Sequence, residues 1–158
     1  MVETRLVLEW LAATYPKSHW MTHVRLGSMP AGLATDNLDD QQAMMVHSTF
    51  ARWADAVVAL PDRTLLVEAK VVLHPNALAQ LMVYRRLAPY TPGLSIRVDL
   101  PIEPVVLYAR PDEVVLQLAA ELRITAVRYD PDWVEEYLRS LALRKSSAPQ
   151  PQTIAPAV

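Results

Sequence analysis

Three ionisable residues in two neighbouring apolar stretches have the types and spacing to act together: Asp55 in the stretch 52–60, and Glu68 and Lys70 in 64–72. Side chains of an extended segment alternate between its two faces. In 64–72 this sends Leu65, Val67, Ala69 and Val71 to one face and Leu66, Glu68 and Lys70 to the other. In 52–60 it groups Trp53, Asp55, Val57 and Ala59 against Ala54, Ala56, Val58 and Leu60. Between the stretches, Pro61-Asp62-Arg63-Thr64 reads as a turn, because proline presets φ and aspartate accepts local hydrogen bonds. The pair is therefore expected to form a hairpin. A two-residue loop at Pro61-Asp62 sets Asp55 opposite Glu68, and a four-residue loop sets it opposite Lys70. Both keep the three groups on one face. A three-residue loop would part them unless a bulge restored the phase. Two carboxylates this close repel unless a cation binds or one is protonated. Oxygen donors of this kind suit Mg²⁺ or Mn²⁺, an ion that acidifies a bound water and clamps a phosphate oxygen. Lys70 is placed to orient that water or to offset charge developing on phosphorus.

The elements that must position these groups are legible around them. Residues 3–14 carry Leu6, Trp10 and Ala13 on one stripe, with Val7 and Leu11 beside it, and read as a helix that Pro16 ends. Residues 20–26 read as a strand and 27–35 as a loop. The segment 36–48 is ambiguous, with a short helix at 40–46 or an ordered excursion both open. Pro75 and Asn76 open a helix to about Ala88, stopped by Pro89, Pro92 and Gly93. A strand at 104–109 follows, then a helix at 113–122 capped by Asp112, a strand at 124–129, and a helix at 133–144 capped by Asp132. The layout is α/β (α+β), with helices flanking a mixed sheet. Residues 1–145 form one domain, and 146–158 is a polar, Pro-rich tail.

The chain has 158 residues, with 52% hydrophobic and 20% charged, which excludes global disorder. It has no cysteine, which removes disulfides, thiol chemistry and Cys-built zinc sites, and its three glycines are too scattered for a phosphate-binding loop. A net charge of −2 argues against a basic nucleic-acid coat and leaves room for a local basic groove. No stretch reaches the roughly 20 apolar residues of a membrane span, and Met1-Val-Glu-Thr-Arg-Leu has no signal-peptide core. The expectation is a soluble cytoplasmic protein with no membrane partner. The histidines at 19, 23 and 47 read as ordinary surface or core residues, whereas His74, just after the Glu-x-Lys stretch, is near enough to approach a phosphate. Trp53, beside Asp55, could stack on a base. Arg52, Arg85 and Arg86 could track a DNA backbone.

The spacing Asp55-x(12)-Glu68-Ala69-Lys70 resembles the signature of the PD-(D/E)xK nuclease superfamily, and Gln80-Leu-Met-Val-Tyr84 resembles the Gln-x-x-x-Tyr extension of its RecB-like and phage-exonuclease-like branch. The likeness covers about residues 52–88. It implies a restriction-endonuclease-like αβββαβ core and a Mg²⁺- or Mn²⁺-dependent nuclease acting on DNA. It also implies that Asp55, Glu68 and the Ala69 carbonyl ligate the ion, that Lys70 positions or activates the water, and that Gln80 and Tyr84 contact the water or the phosphate. An acid on the first helix often joins such sites, and Glu9 is the candidate here, with Glu3 second. The chain departs from the pattern in having Arg52-Trp53-Ala54 where a glycine is usual. The alternative expectation is a catalytically silent protein on the same fold. It would be a structural or DNA-binding subunit of a homo-oligomer or a larger assembly, for example a virus particle.

Overall fold

The computed structural model describes residues 1–27, 39–42, 45, 52–91, 94 and 100–146. Its elements are α1 (Val2–Thr14), β1 (His19–Leu26), β2 (Arg52–Ala59), β3 (Thr64–Val72), α2 (Pro75–Leu87), a 3₁₀ turn (Ala88–Tyr90), β4 (Ile102–Arg110), α3 (Glu113–Glu121), β5 (Thr125–Arg128) and α4 (Trp133–Ser146). Every helix and strand read from the pattern is present, with ends moved by one or two residues. Most of the loop at 27–35, the ambiguous segment 36–48 and the tail 146–158 lies outside the described residues.

The five strands form one sheet in the order β1-β2-β3-β4-β5. β2 runs antiparallel to both β1 and β3, and β3, β4 and β5 run parallel to one another. Parallel neighbours need a crossover connection: α2 supplies it between β3 and β4, and α3 between β4 and β5. Each face of the sheet is covered. On one side Leu6, Val7, Trp10 and Leu11 of α1 and Val134 of α4 pack on Ala56, Val58, Leu65, Val67, Ala69, Val105 and Leu107. On the other, Ala77, Leu78, Leu81 and Tyr84 of α2 and Val115 and Ala119 of α3 pack on Val57, Leu66 and Val106. Burial on both faces explains why β3 and β4 read as nearly continuous apolar runs. At the start of α3 the Asp112 carboxylate accepts from the N–H groups of Val114 and Val115, as its position predicted. Gly27 follows β1 with φ +74, a conformation that favours glycine, and a Cβ there would stand 3.2 Å from the Leu87 side chain of α2, which would have to give by a few tenths of an ångström.

The hairpin turn is the two-residue form. Ala59 pairs with Thr64, and the Leu60 N–H donates to the Arg63 carbonyl at 2.9 Å, leaving Pro61-Asp62 at the tip. This register runs to Ala56↔Val67 and sets Asp55 level with Glu68.

One feature of β1 and β2 departs from strict alternation. Val57 and Ala54 both belong to the core under α2, although three residues of regular strand would put them on opposite faces. Met21 and Val24 of β1 show the same inversion. The strands change phase together at His23 and Asp55, where His23 has φ +52, a left-handed conformation rare for a residue with a side chain. Asp55 thus stands at a kink in the sheet.

Candidate active site

Asp55, Glu68 and Lys70 converge where β2 and β3 part. Beyond Ala56↔Val67 the Asp55 carboxylate takes the N–H of Ala69 at 2.8 Å in place of a backbone carbonyl. In an extended strand the N–H and C=O of one residue point to the same neighbour, so the Ala69 carbonyl also faces the gap beside Asp55. Glu68 is 3% exposed. Its Oε1 accepts from Lys70 Nζ at 2.8 Å, while its Oε2 is buried with no hydrogen-bond partner. An orphaned carboxylate oxygen is rare in a folded interior because it forfeits its solvation with nothing in return.

The electrostatics follow from this packing. Burial and the Asp55 charge push the Glu68 carboxyl up to about 7. Burial likewise raises Asp55, against the pull of the Ala69 N–H and of Lys70. For Lys70, burial favours the neutral amine, but the Glu68 carboxylate and the charges of Asp55 and Glu3 outweigh it and hold the ammonium above its ordinary range. On α2, Gln80 Nε2 donates to the Tyr84 hydroxyl at 3.2 Å. Burial and the Glu68 charge push Tyr84 up to about 12, so the phenol is neutral and faces the carboxylates. The four-residue spacing of Gln80 and Tyr84 therefore does put both on one helix face.

Other expected residues stand elsewhere. The Glu9 carboxylate accepts from Trp133 Nε1 at 2.7 Å and from Arg5 Nε at 2.8 Å, and these bonds hold it below the usual carboxylate range. It is tied to α4 and is not brought to the pair. Glu3, six residues earlier and so on another face of α1, is the acid whose charge reaches Asp55, Glu68 and Lys70. His74 caps α2, its Nδ1 accepting from the Asn76 N–H at 3.3 Å. Arg52, Arg85 and Arg86 do come together, lining an open groove with Met82, Val83 and Leu87. Trp53 is 37% exposed and stacks on His23, with ring centroids 4.2 Å apart and planes 10° from parallel. The position of His23 was missed from sequence, although two successive polar residues, Thr22-His23, inside a strand mark where its alternation breaks.

Donor chemistry at the pair fits a hard divalent ion: two carboxylates, a free oxygen on one of them and a carbonyl facing the same gap. Among the described residues no group of three His, Cys, Asp or Glu side chains gathers as a metal site, and the Ala69 carbonyl is the further oxygen that faces the gap. Nor is any helix of the described residues long and apolar enough to cross a membrane.

No family model and no curated protein matches this chain. Among solved structures it is similar to a crystal structure titled as a protein of unknown function, AF1548, at 13% identity and a TM-score of 0.46, over 90% of this chain and 67% of the other. That likeness bears on neither family nor activity.

Proposed function

We propose that this chain is a divalent-cation-dependent nuclease that hydrolyses phosphodiester bonds in DNA, with Asp55, Glu68 and the Ala69 carbonyl holding Mg²⁺ or Mn²⁺. The observation that carries the reading is the buried, partnerless Glu68 Oε2 beside a second carboxylate. A fold keeps such an arrangement at a cost, and a bound cation removes the cost. When bound, the ion supplies Lewis acidity, lowering the pKa of a coordinated water and offsetting charge on the phosphate. The chain's own groups do the rest. Lys70, held protonated, donates from Nζ to the attacking water or to a phosphate oxygen. Tyr84 keeps its proton across the physiological range and is a donor to the phosphate, oriented by Gln80. Arg52 and Arg85 line an open groove along α2 and suit a phosphate backbone.

The test is cleavage of plasmid and of linear DNA by purified protein. Cutting is expected with Mg²⁺ or Mn²⁺ and not with EDTA. Asp55→Ala and Lys70→Ala are each expected to lower the rate by roughly 10²-fold or more, the scale of a lost catalytic group. Cutting that survives both substitutions would overturn the assignment. One observation favours the second reading, a silent protein on this fold that binds DNA or builds an assembly: the Lys70–Glu68 ion pair already compensates one carboxylate without an ion. DNA binding without cutting under any divalent cation is the outcome that reading expects.

A further inference from the structure

The kink that places Asp55 also builds a second feature on the α1 side of the sheet. Trp53 pairs with Arg25 in the register of β1 and β2, and directly opposed residues share a face. Val24 and Leu26 are buried while His23 and Arg25 are exposed, so His23 and Arg25 lie on one side of β1. The His23 ring lies flat against the Trp53 indole. An aromatic pair, exposed at its indole, thus stands beside a guanidinium. It adjoins the catalytic pair: His23 and Asp55 line one small cavity with Thr22 and α1 residues Thr4 and Val7. His23 reaches this position through a backbone conformation that costs energy, and strain of this kind collects at functional sites. Neither aromatic belongs to the two buried clusters of the described residues.

We infer that Trp53, His23 and Arg25 form a platform for an unpaired nucleotide, the base stacking on Trp53 and its phosphate meeting Arg25, so that the preferred substrate is single-stranded DNA or a frayed end. An exposed indole flanked by arginine matches the requirements of single-strand binding, because every base has a π-face while a duplex keeps its bases covered. Arg52, one residue away and on the α2 side, continues the positive charge toward the groove of Arg85 and Arg86. As a choice of substrate, this inference rests on the nuclease reading, but the platform is testable without cutting.

The experiment is fluorescence anisotropy of the full chain in EDTA, with labelled oligo-dT of about twelve nucleotides and a duplex of equal length as probes. The wild type is expected to bind the single strand more tightly than the duplex. Trp53→Ala is expected to weaken single-strand binding roughly tenfold, with Trp53→Phe restoring most of it and Arg25→Ala weakening it several-fold. Circular dichroism of each variant separates a lost platform from a lost fold. Equal affinity for both probes, or Trp53→Ala binding as the wild type does, would overturn the platform. A second assay compares Mn²⁺-dependent cutting of the two probes. A preference in binding without cutting removes the nuclease reading and leaves the platform, whereas cutting indifferent to Trp53 does the reverse.

Discussion

Glu68 decides the behaviour of the site because it is buried, charged and only half satisfied. Its carboxyl titrates near 7, against 4.5 in the unfolded chain. A raised acid means that the folded state binds more protons than the unfolded state between those two values. Stability without cation therefore falls as pH rises through that window and is level above it. Glu68→Gln mimics the protonated acid. It is expected to lose the fall in apo stability between pH 5 and pH 8 that the wild type shows, read by denaturant melts at the two pH values. The same fall in both proteins would contradict the burial argument. Because an ion competes with that proton, Mn²⁺ is also expected to raise the melting temperature more near pH 8 than near pH 5.

At the scale of elements, the site depends on a short turn and on the strands it aligns. Proline followed by aspartate made the hairpin legible, and either even loop kept Asp55 with Glu68 and Lys70; only the structure selects the two-residue form. The kink at His23 and Asp55 was not legible, because alternation assumes one phase along a strand and a left-handed residue resets it. Glu9 misled for a related reason. An acid on an amphipathic helix carries no sign of its partner, and here that partner, Trp133, lies 124 residues away. Helix ends were clearer, since capping is a local interaction. Asp112→Ala removes both hydrogen bonds at the start of α3 and is expected to cost about 1 kcal/mol, measured by urea denaturation, with DNA cutting unaffected. A loss of cutting at equal stability would tie α3 to the site in a way its position does not suggest.

For the molecule as a whole, charge is nearly balanced at −2, yet Arg52, Arg85 and Arg86 line one groove. Association with nucleic acid should therefore be local and salt-dependent. Arg52→Ala and Arg85→Ala are each expected to weaken binding alike across sequences and to reduce the slope of log affinity against log salt by about one. An unchanged slope would place the backbone elsewhere. The α/β layout was legible because hydrophobic period and turn chemistry agree along most of the chain, whereas the spatial clustering of its arginines depends on tertiary packing. The proposed hydrolysis requires an ion between Asp55 and Glu68. Its most direct test is a crystal structure grown in millimolar Mn²⁺, with anomalous scattering recorded at the manganese edge. The expected result is a peak bridging the two carboxylates, with the Ala69 carbonyl in its shell and Lys70 turned away from Glu68 Oε1. A site without a peak, with Lys70 still paired to Glu68, would contradict it.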